Sequence, residues 1–287
     1  MPTKIEKDSV TGQMTTGHEW DGLKELNRPL PKWWIYIFYA TIVWALVWFV
    51  LYPSIPGLHG YFHGTTGYSQ RSAVDQDVAA VTKQRSAYMD RVKALSFDAI
   101  RKDPQLLAVA QTAGKIAFAN NCQPCHGAGG GGNPGYPALA DGNWIWGGTL
   151  EDIQQTVTFG VRSGLDAARN GQMPRFGVDG MLKPEEIGQV AAYVMTLYGK
   201  PGGNTVAGEK LFAENCAACH GEKGEGKREV GAPRLAGRAH LYGDDEATVV
   251  AQIKNPRLGM MPNWNARLDE ATIKSVALYV HALGGGE

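Results

Sequence analysis

The chain contains four cysteines, and they fall as two identical spacings: Cys122 with Cys125, and Cys216 with Cys219. Each pair is followed directly by a histidine, His126 or His220. Two thiols three positions apart can reach the two vinyl groups of one porphyrin, while the next residue offers its imidazole to the iron. The doubled CxxCH motif therefore predicts two covalently bound c-type haems, with His126 and His220 as proximal iron ligands. Zinc would call for further Cys or His at ligand spacing, and a disulfide framework would call for more cysteines in a much smaller domain. With 287 residues and 44% hydrophobic content, the chain has room for two ordinary folded domains. Its formal net charge of zero argues against a nucleic-acid partner.

The motifs sit inside a longer repeat. Residues Gly114 to Cys122 match Gly208 to Cys216 at an offset of 94 residues, which also aligns His126-Gly127 with His220-Gly221. Met173-Pro174 and Met261-Pro262 follow, 51 and 45 residues after the first cysteine of each copy. Each copy then closes with an amphipathic run, Pro184 to Leu197 and Asp269 to Leu283, with acidic residues at its start that favour a helix N-terminus. The recurrence of Met-Pro makes Met173 and Met261 the expected sixth ligands, each paired with the histidine of its own copy. Met260 is the nearest rival, with His240 and His281 as weaker ones. A His/Met pair raises the potential above that of bis-His ligation, which suits a carrier feeding a strong oxidant. Tyr136, Pro137, Trp144, Trp146 and Arg162 are expected around the first haem, with an indole N–H or Arg162 reaching a propionate. Pro233, Arg234 and Leu235 stand at the comparable place around the second, where Arg234 is the propionate candidate.

This arrangement resembles the class I cytochrome c domain, in which a glycine and an aromatic of the first helix meet an aromatic of the last. The resemblance implies that Gly114 and Phe118 meet Tyr193 in one domain, and that Gly208 and Phe212 meet Tyr279 in the other.

Ahead of the repeat, Trp33 to Tyr52 is a run of twenty residues without a charge. At helical rise it spans roughly 30 Å, the thickness of a bilayer's hydrocarbon core. Lys24, Arg28 and Lys32 precede it, and Pro53 to Gln70 holds no Lys or Arg. The positive-inside rule then puts the N-terminus in the cytoplasm and the haem domains in the periplasm. A cleaved signal peptide would have a shorter apolar run and a small-residue cleavage site. The expected fold is all-α: a cytoplasmic tail (1–32), a transmembrane helix (33–52), a periplasmic helical spacer (53–103) and two tandem class I cytochrome c domains (104–200 and 201–287). Gly199 to Asn204 forms a short linker that should keep the haems near one another. His18, His59 and His63 have no expected role.

The N-terminal words Thr16 to Gly22 and Glu25 to Trp34, continued by Asn143 to Gly148, Gly160 to Gly164 and both haem motifs, resemble the dihaem subunit III of cbb3-type cytochrome c oxidases. The resemblance implies an electron-transfer subunit of a bacterial inner-membrane oxidase that receives electrons from a soluble or membrane cytochrome c. It implies as partners a monohaem cytochrome c subunit and the haem-copper catalytic subunit, which reduces oxygen to water and pumps protons. With both irons six-coordinate, no oxygen chemistry is expected on this chain. A dihaem shuttle for another reductase is the alternative within electron transfer. A dihaem peroxidase would need an open coordination position, and a sensor would need a signalling domain.

Overall fold

The computed structural model describes residues 4–203, 205–237 and 241–287. The chain divides into two compact units, residues 1–82 and 83–287. The first begins with an antiparallel hairpin, β1 (Thr15–Trp20) and β2 (Leu23–Leu26). It turns at Asp21 (φ 48°) and Gly22 (φ 86°), the positive-φ pair that a two-residue hairpin loop requires. Helix α1 (Lys32–Leu51) follows and buries none of its residues within the chain. An ordinary surface helix would hide an apolar stripe against a core, whereas α1 presents Trp, Tyr, Phe, Ile and Val on every side, as a lipid-facing helix does. Trp44, Trp48 and Tyr52 stack along one side, with ring centroids 5.7 and 4.3 Å apart. After a small hairpin, β3 (Pro56–Gly57) and β4 (Gly60–Tyr61), the chain returns to the end of α1. There the Thr65 and Thr66 amides donate to the carbonyls of Val50 and Leu51, which the helix itself leaves unpaired.

The run expected as a spacer is two helices, α2 (Gln70–Ala94) and α3 (Phe97–Lys102), broken where Ser96 caps α3 by accepting the Ala99 amide. The end of this run is structural: Val92, Phe97 and Ile100 are buried in the same core as Phe118. Lys274 donates to the carbonyls of Lys93 and Leu95, so its ammonium closes the C-terminus of α2.

The haem-motif repeat follows as α4 (Pro104–Asn121), α5 (Gln123–His126), α6 (Leu150–Phe159) and α7 (Pro184–Leu197), then α8 (Val206–Asn215), α9 (Ala217–His220), α10 (Glu246–Lys254) and α11 (Glu270–His281). The copies are tandem in sequence but exchanged in packing. Helix α4 packs on α11 rather than on α7, and α7 packs on α8; α6 also meets α11, and α10 meets α7. A Cβ on Gly114 would collide with the Ser275 carbonyl and come within 2.9 Å of Tyr279, and a Cβ on Gly208 would collide with the Gln189 carbonyl and come within 3.1 Å of Tyr193. The ring pairs follow, Phe118 with Tyr279 at 5.4 Å and Tyr193 with Phe212 at 5.2 Å. The expected pairings of Gly114 and Phe118 with Tyr193, and of Gly208 and Phe212 with Tyr279, are therefore corrected. The glycine-aromatic crossing exists twice, but each crossing joins helices from different copies. The physical reason is the short α7–α8 connection, which lets sequence neighbours fold back on one another as an antiparallel pair.

Two cores result. One gathers Leu106, Phe118, Ile153 and Val157 with Ile273, Val276 and Val280; the other gathers Phe176, Ile187, Val190 and Val194 with Phe212, Val249 and Ile253. The chain passes between them where Val161 and Met261 exchange backbone hydrogen bonds, each 3.0 Å long. It passes again where the Gly177 and Val178 amides donate to the Lys254 carbonyl.

Candidate functional site

Both haem motifs are built the same way. Helix α4 ends with the Cys122 amide donating to Phe118 O at 2.8 Å, and α8 ends with Cys216 donating to Phe212 O at 2.8 Å. A single tight turn then carries the CxxCH residues, with the His126 and His220 amides each 2.9 Å from the carbonyl of the first cysteine. Gly127 (φ 77°) and Gly221 (φ 79°) stop each turn in a conformation that a side chain would resist. The chain then folds back beneath the imidazole, so that Gly132 N and Gly226 N bond the carbonyls of His126 and His220.

This return loop delivers a contact that sequence reasoning missed. Pro137 O accepts from His126 Nδ1 at 3.0 Å, and Pro233 O accepts from His220 Nδ1 at 3.0 Å. A carbonyl can only accept, so each ring carries its proton on Nδ1 and presents the lone pair of Nε2. Burial lowers the pKa of both histidines, which favours the neutral ligating form, with the proline contact opposing in part. The two prolines had been placed near the haems, but only as lining. Their equivalent positions in the two copies were the available signal.

In each motif the first cysteine is buried and the second exposed. Burial, together with the neighbouring thiol, pushes Cys122 and Cys216 up to about 11, so as free thiols they stay protonated. Among the described residues no group of three or more His, Cys, Asp or Glu side chains converges on one point, so the residue set suits porphyrin attachment better than zinc.

A largely apolar cavity of about 500 Å³ opens beside the first motif. Cys122, Cys125, His126 and Met261 all line it, with Trp144, Trp146 and Arg162 also at its wall. Met261 packs against the core that holds Cys122, and Met173 packs against the core that holds Cys216. Each methionine thus lies by the core of the other copy's cysteine pair, whereas the sequence placed it by its own. Each methionine follows the crossing of its loop into the other copy's core. Met260 also borders the cavity but remains 66% exposed, whereas Met261 is partly buried against the core. The cavity fits a haem in its apolar walls, in a thiol pair beside a tautomer-fixed imidazole, and in a thioether within the same lining.

Other expectations land differently. The Trp144 indole donates to Gly285 O, which occupies it at the C-terminus instead of at a propionate. His281 is likewise held there, with Nε2 2.9 Å from Glu287 O. Arg162 lies in the loop after α6 and bonds two backbone carbonyls, Gly259 O and Gly171 O. Arg234 is exposed, and His240 lies outside the described residues. The ring of Trp146 reaches from the cavity wall to Gly171, whose Cβ would sit 3.0 Å away, and to Gly231, whose Cβ would collide with it. Gly171 precedes Met173 and Gly231 precedes Pro233, each by two residues. One aromatic ring at the wall of this cavity therefore touches the loops that carry Met173 and Pro233.

Three family models match the chain. They are the N-terminal domain of cytochrome oxidase-cbb3, FixP, over residues 12–59; cytochrome c over residues 111–198; and cytochrome c oxidase, cbb3-type, subunit III, over residues 203–280. Relatives match along the whole length. The cbb3-type cytochrome c oxidase subunit FixP of Bradyrhizobium sp. (strain ORS 278) is 52% identical over 100% of both chains. The subunit CcoP of Cereibacter sphaeroides is 47% identical, again over 100% of both. FixP of Rhizobium meliloti is 45% identical over 98% of this chain and 97% of its own.

Proposed function

The chain belongs to the FixP/CcoP family, subunit III of cbb3-type cytochrome c oxidases, and from that premise we propose that it holds two c-type haems in crossed ligation and relays electrons into the oxidase. Cytochrome c domains bind haem covalently, and this chain offers two attachment sites, Cys122/Cys125 and Cys216/Cys219. In this reading His126 and Met261 would hold the first iron, and His220 and Met173 the second. The observation that carries it is the common cavity of His126, Met261 and the first cysteine pair. Each haem supplies a one-electron Fe(III)/Fe(II) couple, raised in potential by its thioether. The protein's own part is to fix the imidazole tautomer through Pro137 and Pro233, to exclude water with apolar walls, and to hold the two pockets against one another through Trp146. With a histidine and a methionine filling both axial positions, each iron would offer oxygen no place to bind, and reduction of oxygen would belong to the catalytic subunit.

Electrons enter from a donor cytochrome c and leave toward the monohaem subunit and then the haem-copper subunit. Helix α1 spans the bacterial cytoplasmic membrane with its N-terminus inside, which leaves both haems in the periplasm. Support for that orientation comes from Lys24, Arg28 and Lys32 ahead of the helix and the absence of Lys and Arg from Pro53 to Gln70.

A redox titration of the purified full-length chain in detergent, followed by its visible spectrum, tests the proposal. Two low-spin His/Met haems per chain, with potentials in the range of a high-potential carrier, are expected. One haem, or bis-His spectra, would refute it.

A further inference from the structure

Arg162 stands immediately after the Val161–Met261 pairing, where the chain crosses from one haem core to the other. Its Nε donates to Gly259 O at 2.7 Å, and its Nη1 donates to Gly171 O at 2.7 Å. Gly259 lies two residues before Met261, and Gly171 lies two residues before Met173. One guanidinium therefore grips the equivalent carbonyl in both methionine loops, although those methionines pack against different cores.

The backbone at this point underlines the side chain's role. Arg162 has φ 51°, in the left-handed region that disfavours any residue with a Cβ. Glycine would occupy it without strain, so the presence of arginine there calls for a reason in its side chain. The planar fork of a guanidinium holds donors in fixed directions and remains charged. It can bond two carbonyls on different loops at once, whereas a lysine ammonium is a point charge on a flexible stem.

We propose that Arg162 is a positioning residue that sets the methionine ligation of both haems together, so that the two irons share one clamp. The proposal rests on the crossed ligation described above. The competing role, a propionate contact at the cavity wall, concerns the first haem alone.

Carbon monoxide binding to the reduced full-length chain separates these roles, because the gas binds iron only where methionine has left it. Arg162→Gly removes the clamp while relieving the backbone, so both haems should stay attached and the thermal transition should fall little. Capture of carbon monoxide should accelerate roughly tenfold at both haems, the factor expected when each loop loses one charge-assisted hydrogen bond. Arg162→Lys should give a smaller rise, again at both. Met261→Leu and Met173→Leu, which each open one haem, identify which spectrum belongs to which site. Acceleration at the Cys122/Cys125 haem alone, or at neither, would overturn the clamp. If Arg162→Gly failed to attach haem, Arg162→Lys would decide by the same criterion. An unaltered chain without two His/Met haems would bring down the ligation reading itself, and the clamp with it.

Discussion

Pro137 and Pro233 supply what the CxxCH motif cannot, a fixed acceptor behind each imidazole, and they do so from loops 11 and 13 residues downstream. The attachment motifs were legible in the sequence because thiol spacing and the adjacent histidine are dictated by porphyrin chemistry. The proline carbonyls were not, because any residue has a carbonyl and only the fold aims it. The glycines show the opposite case. Gly114 and Gly208 were recognised as crossing points, and both crossings exist, because a helical glycine facing another backbone leaves no room for a methyl group. Gly114→Ala should push α4 off α11 and destabilise residues 83–287 by about 1–3 kcal/mol, the usual cost of overpacking. Gly208→Ala should do the same between α7 and α8. Thermal melts of each variant check this, and an unchanged melting temperature would mean that the crossings are looser than described.

The elements mark their own beginnings. Asp103 caps α4 by accepting the Leu106 amide at 3.0 Å, and Pro104 follows in the first turn, where its missing N–H costs nothing. The Leu106 amide and the Arg91 guanidinium both favour the ionised form, so the Asp103 carboxyl lies below its usual range. A carboxylate whose pKa is lowered by folding lends stability above its unfolded value, and that stability is lost as pH falls through the folded one. Asp103→Asn should accordingly destabilise the chain at neutral pH and make little difference in strong acid. Denaturant melts across pH would report it, and a difference that persisted below the carboxylate range would contradict the assignment. Helices α7 and α11 were legible from their acidic starts and apolar spacing. The break at Ser96 and the burial of Val92, Phe97 and Ile100 were not, because the alternating charges of α2 mask a short apolar tail that matters only once α11 packs on it.

On the scale of the whole molecule, the exchange between copies is what the sequence concealed. Both copies carry the same glycine, phenylalanine and tyrosine, so either pairing satisfies the repeat, and Met-Pro recurs at nearly the same distance in each. The deciding feature is the connection between α7 and α8. It is short enough to lay one helix against the other as an antiparallel pair, the usual arrangement of sequence neighbours. Once α7 is taken, α4 is left to α11, and the loops bearing Met173 and Met261 must cross. The crossing makes residues 83–287 one compact unit, in which Arg162 bonds the loops of both methionines and Trp146 packs on the Met173 and Pro233 loops.

The most direct test of the crossed ligation begins from a full-length chain with Cys216→Ala and Cys219→Ala, which retains only the haem at Cys122 and Cys125. Its red charge-transfer band, the signature of methionine on ferric iron, is then followed in two further variants. Met261→Leu should abolish the band and Met173→Leu should leave it intact. Loss of the band with Met173→Leu, and its survival with Met261→Leu, would contradict the account.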